Sequence, residues 1–382
     1  MSRVNRFFSP IIYNGRDKYD YHDLHGRSMG ASKFSEGEHL ISGFIQGRGG
    51  LRRGYAEVVD GNVVRFGNGD PGASDMYAVM VPGVVNGHTH CADYGLKIPR
   101  GLTLEQLVAP PDGLKHRYLR EAGGGQLISD MRSFSEDSRT FGTELFVDFR
   151  EGGVEGCRML REASPDALIL GRPVSPEFDP EEIGSILDVA DGIGISSISD
   201  MPMDYIEQVA DEVRSRNSIF AVHVSERVRE DIDAVLSLDP AFIVHMCEAT
   251  DDDLLKCAEA EVPIVVCPSS NSYFGKVPPV ARMQSCGVDI ALGTDNGMLA
   301  APDMAREASR LLTVMESQGG DPGTVWDTLV CLKGKLLYRQ KQIEHPTNPG
   351  RMMVIPLEMD DDPLSGLRDY DGGAFGLDVE RG

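Results

Sequence analysis

The chain has no run of about 18 or more apolar residues, the length a helix needs to cross a bilayer. Its opening stretch, MSRVNRFFSPIIYNGRDKYD, is interrupted by Pro10 before an apolar segment of signal-peptide length can form, so a cytoplasmic location is expected. It also has no Cys-x-x-Cys pair. Its seven cysteines, an odd number, are scattered through the sequence, which fits reduced thiols better than a disulfide framework. Even Cys91, beside a histidine pair, reads as a buried and inert thiol. Positive charge is scarce: 37 lysines and arginines face 60 aspartates and glutamates, a formal net charge of −23. A field of that sign repels polyanions and argues against nucleic acid or anionic membrane as a partner. An Asp-rich, Lys-poor composition also suits a salt-rich cytoplasm.

What the chain does have is length and rhythm. Its 382 residues accommodate an α/β barrel of about 200–250 residues with a small accessory domain. Residues 1–38 are polar and aperiodic and read as an extension. From HLISGFIQ through YAEVVDGNVVRFGNG the runs are short and β-like, with Asp-Gly-Asn as a hairpin signal, which suggests a small sheet. Strand candidates then alternate with helical segments, the pattern of repeated βα units. The candidates are AVMVPGVVN, ELFVDF, ALILG, GIGISSIS, IFAVHV, AFIVHM, PIVVCP and DIALGT. Between them, segments such as EGCRMLREASP, MDYIEQVADEVRSRN, REDIDAVLSL and DDDLLKCAEAE carry apolar residues near helical spacing. Eight such units predict a closed (β/α)8 barrel, whose functional groups sit at the C-terminal ends of the strands.

Those ends are rich in one residue type. The stretch VPGVVNGHTH places His88 and His90 on one face of an extended strand, with Thr89 on the other. The fifth candidate carries His223 in AVHVSE, the sixth His245 in IVHMCE, and the eighth Asp295 in ALGTDN. Any one of these histidines could be a surface side chain or a satisfied core residue. Four of them with an aspartate on one barrel face read instead as a metal site.

The arrangement resembles the amidohydrolase superfamily, and the resemblance rests on PGVVNGHTH, HVSE, VHMCEAT, CPSSN and GTDNG between Ser42 and Pro356. It implies an α/β fold in which a TIM-type barrel, here 81–345, is joined by a small β-sandwich built from both chain ends, here 39–80 and about 346–382. Two-ion members use a carboxylated lysine, or a substitute carboxylate, at the end of strand four. Here no lysine lies between Lys115 and Lys256, and GISSISDMP offers only Asp200, so one divalent ion is expected, with a supporting role for Asp200 left open. The one-ion branch holds the cytosine, guanine and adenosine-type deaminases and the related triazine and thiomethyladenosine or adenosylhomocysteine hydrolases. Its His-x-x-Glu mark is matched by His223 and Glu226.

The resemblance implies that His88, His90 and His223 supply nitrogen ligands and Asp295 an oxygen ligand to Zn²⁺, with Fe²⁺ as the alternative ion. Asp295 would also accept the proton of the attacking water, His245 would orient that water and stabilise the alkoxide, and Glu226 would carry protons to the substrate ring and the leaving ammonia. The other reading of Glu226 is a carboxylate opening the helix ERVREDIDAV.

Candidate substrate residues are Lys115, with His116 and Arg117 in what otherwise reads as a solvated basic turn starting a helix, and Arg150 and Arg172 at the ends of strands two and three. Either arginine could instead pack against the acidic surface. In CPSSN, Ser269, Ser270 and Asn271 could bond a heterocycle or only shape a turn. The expected activity is ammonia release from a nitrogen heterocycle or nucleoside-like small molecule. A cyclic amide or imide hydrolase, or a hydrolytic dehalogenase, is the nearest alternative, and a non-catalytic metal-binding barrel the remote one. A homodimer is what relatives suggest. The loop GLTLEQLVAPPDGLKHRYLREA matches no guanine or adenosylhomocysteine substrate motif, and the tail EHPTNPGRMMVIPLEMDDDP lacks the apolar closing pattern of relatives.

Overall fold

The computed structural model describes residues 29–47, 49–99, 102–108, 112–339, 350–359, 361–368 and 370–380. Most of the expected N-terminal extension, residues 1–28, lies outside the described residues. Strands β1 (Glu38–Gly47) and β2 (Gly50–Val59) pair antiparallel, and β3 (Asn62–Asn68) returns along β2. The Asp-Gly turn predicted between them is present, with Asp60 and Gly61 at φ +46° and +82°, the left-handed pair that matches the twist of a tight hairpin. Strand β4 (Met76–Pro82) runs parallel to β1.

The apolar run AVMVPGVVN was expected to be one strand, and the structure divides it. Strand β4 ends at Pro82, the chain bends at Gly83 (φ +81°), and β5 (Val85–His90) begins the large barrel. A Pro-Gly pair stops a strand because proline lacks the N–H of the ladder and glycine takes the left-handed turn at no steric cost. Strand β4 is then a shared wall: Ala78 and Met80 face the core of the small sheet, while Val79 and Val81 pack into the barrel's outer core.

The large barrel continues with β6 (Leu145–Arg150), β7 (Leu168–Gly171), β8 (Gly192–Ile195), β9 (Ile219–Val224), β10 (Phe242–His245), β11 (Ile264–Val266), β12 (Ile290–Leu292) and β13 (Asp295–Asn296). All neighbours pair parallel, in sequence order, until β12; β13 then pairs with β5. The eighth barrel strand is thus interrupted at Gly293–Thr294, holding strand seven with its first half and strand one with its second. Asn86 stitches this seam, donating Nδ2–H to Thr294 Oγ1 at 2.8 Å and accepting Thr294 N–H at 3.0 Å. Gly293 is required there, because a Cβ would stand 2.8 Å from the backbone nitrogen of His88.

The strands are buried on both faces, as parallel strands covered by helices must be. Val85, Val147, Phe149, Leu168 and Leu170 fill the barrel interior, and residues such as Phe146, Ile169 and Ile193 meet the helices. The predicted helices form at Gly153–Ala163, Met203–Ser215, Ile232–Ser237 and Asp251–Glu259. Chain-end strands β14 (Arg351–Pro356) and β15 (Phe375–Val379) complete a small six-stranded sheet that closes on itself. The tail that looked weakly apolar therefore still supplies a strand, with Met352 and Val354 in the small core. No helix among the described residues is long and apolar enough to cross a membrane.

Candidate metal centre and active site

Alternation along β5 sends His88 and His90 into the barrel mouth and Thr89 the other way. Thr89 donates its hydroxyl to Asp148 Oδ2 at 2.8 Å, and the same carboxylate oxygen accepts Cys91 N–H, which fixes the chain on both sides of His90. His223 reaches the same point from β9 and Asp295 from β13. His88 Nε2 lies 3.2 Å from His223 Nε2 and 3.3 Å from Asp295 Oδ1, and His90 Nε2 lies 3.5 Å from that same oxygen. Around a tetrahedral ion with bonds of about 2.0–2.1 Å, adjacent ligand atoms stand about 3.3 Å apart. The four side chains therefore fit a divalent ion at their centre.

Protonation fits it as well. His223 donates Nδ1–H to the carbonyl of Ile195 at 2.8 Å, and His90 donates Nδ1–H to that of Phe149 at 3.2 Å, so each keeps an Nε2 lone pair facing inward. Burial pushes the His88 imidazole down to about 4, against the pull of Asp295. His223 is pushed well down by burial and by the neighbouring imidazoles. For Asp295, burial works to raise the carboxyl, but the His88 hydrogen bond and the surrounding imidazoles hold it well below the usual range. His88 and His223 are thus kept as neutral imidazoles beside the Asp295 carboxylate, which suits a cation. Ser270 Oγ–H donates to Asp295 Oδ2, leaving Oδ1 for the centre. The backbone is strained here too: His245, Met246, Asp295 and Ser225 all take positive φ, between +50° and +78°, in non-glycine residues at strand mouths.

Behind these side chains lies a buried ionic cluster. Glu151 Oε1 stands 3.1 Å from His90 Nδ1 and 2.8 Å from Lys115 Nζ, and its Oε2 accepts Arg150 Nη2–H at 2.5 Å. Burial would raise the Glu151 carboxyl, but Lys115, His90 and Arg150 hold it well below its ordinary value. Two expectations change here. Lys115 is not a solvated basic turn: it is buried on the cavity wall, neutralised by Glu151 and, at 3.6 Å, by Asp93, with Asn296 Oδ1 at 3.1 Å. Arg150 neither reaches the cavity nor packs on the surface. Its neighbour Phe149 points into the barrel, so alternation turns Arg150 outward, where it pairs with Asp148 and Glu151.

A cavity of about 500 Å³ opens over the candidate ligands. His90, His223, His245 and Asp295 line its floor, and Lys115, His116, Arg172, Ser196, Glu226 and Glu230 are in its walls. Arg172 lines the cavity, with Nη2 3.1 Å from Ser196 Oγ. Asn271 does not line it. Fully buried, it donates Nδ2–H to His245 Nδ1 at 3.1 Å, which leaves His245 Nε2 carrying its proton toward the cavity. Glu226 Oε1 is 3.8 Å from that nitrogen. The helix-opening reading of Glu226 fails, because the helix starts at Ile232 with Asp231 as its cap. Asp200 pairs with Arg227 at the rim, 3.3 Å away, outside the converging ligand atoms.

The sequence reading missed Asp148, Glu151 and Glu230. The first two sit in VDFREGG at a strand end that was read only for its arginine, and Glu230 repeats the acidic side chain of Glu226 four residues on.

No protein-family model matches the chain. A protein of Methanothermobacter thermautotrophicus named as an aminohydrolase is 34% identical over 262 residues, 62% of this chain and 68% of its own length. A 5-methylthioadenosine/S-adenosylhomocysteine deaminase of Moorella thermoacetica is 25% identical over 289 residues, 66% of this chain and 65% of that protein. Among solved structures, a zinc-bound adenosine deaminase from Xanthomonas campestris aligns with a TM-score of 0.67 at 16% identity, covering 87% of this chain and 89% of that one, a likeness of fold.

Proposed function

The chain belongs to the amidohydrolase superfamily, among its aminohydrolases, and from that membership we propose that it is a one-ion deaminase of a nitrogen heterocycle, with a purine, pyrimidine, pterin or nucleoside-like compound as substrate. The observation that carries the reading is the meeting of His88, His223 and Asp295 at 3.2–3.3 Å, under a cavity whose wall holds Glu226 3.8 Å from His245. His88, His90, His223 and Asp295 would hold the ion, Zn²⁺ by preference and Fe²⁺ as the alternative. When bound, such an ion supplies Lewis acidity that brings the deprotonation of water into the neutral range.

The chain's own groups do the rest. Glu226 protonates a ring nitrogen beside the amino-bearing carbon, which makes that carbon electrophilic. Asp295 accepts a proton from the attacking water. His245, its Nε2–H set by Asn271, donates to the oxygen on which negative charge develops. Glu226 takes the proton of the new hydroxyl group and passes it to the leaving nitrogen, and the proton held by Asp295 restores Glu226, so that C–NH₂ and water become C=O and ammonia. Arg172, backed by Ser196, is the wall cation placed to meet a polar or anionic substituent, while the charge of Lys115 is already met by Glu151 and Asp93. The net charge of −23 argues against a nucleic-acid or anionic-membrane partner, and a homodimer acting on a small molecule in the cytoplasm is the reading we favour.

Ammonia release from adenosine, 5′-methylthioadenosine, guanine, cytosine and a pterin, by zinc-loaded protein, tests the reading. We expect release that needs the metal and drops about 10²–10⁴-fold in Glu226→Gln while bound zinc per chain is unchanged. Undiminished release by Glu226→Gln, or by metal-free protein, would overturn it.

A further inference from the structure

Glu230 is a buried carboxylate in the cavity wall that the chemistry above does not use, and among the described residues it has no cationic partner within ion-pair distance. Its oxygens are nevertheless fully engaged. Oε1 accepts the hydroxyl of Ser197 at 2.5 Å, the backbone N–H of Ser199 at 2.9 Å and the hydroxyl of Ser199 at 2.6 Å. Oε2 accepts the backbone N–H of Ser225 at 2.8 Å, and Glu230 N–H donates back to Ser225 Oγ at 3.0 Å. Ser197 and Ser199 belong to the loop after the fourth barrel strand, and Ser225 to the loop after the fifth. One side chain therefore ties two active-site loops together.

The bond to Ser225 is the informative one. Ser225 holds a left-handed backbone, φ +50°, immediately before Glu226. A non-glycine residue in that region costs about 1–3 kcal/mol and persists only where its surroundings impose it. The reciprocal pair between Ser225 and Glu230 is that imposition, and it sets the direction in which the chain delivers Glu226. We propose that Glu230 is a positioning residue, whose carboxylate clamps the two loops and so holds Glu226 in reach of His245 and the substrate. The proposal rests on the role given to Glu226 above.

Glutamine at this position keeps the shape and fails at the clamp. Each carboxylate oxygen accepts at least one backbone N–H, so whichever way an amide turns, its NH₂ meets a donor. Misplacing a reacting group by about 1 Å costs on the order of 10²-fold in rate. For Glu230→Gln we expect kcat to fall about 10²-fold with KM and bound zinc held. In a Glu226→Gln background the same change should cost little more, since a residue acting through Glu226 has nothing left to position. Amide hydrogen exchange on the metal-free protein should show faster exchange at Ser199 and Ser225 in Glu230→Gln.

Unchanged exchange at both amides would overturn the clamp. A full additional loss of kcat in the Glu226→Gln background would overturn its action through Glu226. Undiminished turnover by Glu226→Gln alone would instead defeat the proton-transfer reading, and exchange, which needs no substrate, would then judge the clamp by itself. If Glu230→Gln does not fold, Ser199→Ala removes one hydroxyl from Oε1 and should give a smaller loss with the same coupling to Glu226; an additive loss there would count against the proposal.

Discussion

At the scale of single residues, the centre depends on side chains that never touch its contents. Glu151 backs His90 while neutralising Lys115 and Arg150, all within a buried cluster. Glu151→Gln would leave two buried cations short of a counter-ion, a change that costs about 3–5 kcal/mol when a buried pair is broken, and would loosen the ring of His90. We expect zinc affinity, read by chelator competition, to weaken about 10–100-fold, with thermal unfolding at clearly lower temperature. Wild-type affinity in that variant would mean that the Phe149 carbonyl alone orients His90. The contrast with the ligands explains what could be read in advance. Residue type and strand-end position were enough to bring His88, His90, His223, His245 and Asp295 together, because barrel topology brings every such end to one face. Arg150 was misplaced although alternation held the signal, since an inward Phe149 excludes an inward neighbour. The partners of Lys115 come from three separate segments, and no local pattern records that Asp93, Glu151 and Asn296 will surround it.

At the scale of elements, the seam between β12, β13 and β5 joins stability to the site. Strand positions were legible from the alternation of short apolar runs with helical spacing. The interruption at Gly293–Thr294 was not, because it answers to a tertiary contact, the close approach of the His88 backbone. Likewise the division of AVMVPGVVN follows from two cores competing for one apolar run, although its Pro-Gly pair was a legible stop. Asn86 is fully buried and exchanges two hydrogen bonds with Thr294 across the seam. Removing it in Asn86→Ala leaves the Thr294 N–H buried without an acceptor, a loss of about 1–3 kcal/mol for that group. Because His88 and Asp295 stand on the two sides of this seam, zinc affinity should fall together with the unfolding temperature. A variant less stable but with unaltered zinc affinity would show that the ligands hold their own geometry.

At the scale of the whole molecule, the centre couples metal, protons and folding. The His88 imidazole is pushed by burial from 6.5 down to about 4. Its folded value lies below its unfolded one, so the unfolded chain binds more protons as pH falls. Stability is complete above about 6.5 and is lost as pH drops toward 4, by an amount on the order of 3 kcal/mol. Glu307 works against this. Buried behind the loop that carries Ser269, its carboxyl is raised by burial from 4.5 to about 7. The folded chain therefore holds a proton that the unfolded chain has released, and stability falls as pH rises from 4.5 toward 7, again on the order of 3 kcal/mol. In metal-free protein the two slopes oppose one another across the acidic range. Glu307→Gln removes one of them, so its unfolding temperature should drop more steeply than that of the wild type between pH 6.5 and 4.5. Zinc should act on the histidine slope alone, since a bound ion competes with protons for His88, His90 and His223. A thousandfold excess over its dissociation constant should add about 4 kcal/mol at pH 7.5, and progressively less as acid displaces it. Equal slopes in wild type and Glu307→Gln would mean that Glu307 is ionised in the fold. A zinc effect independent of pH would mean that the ion is not held by these imidazoles.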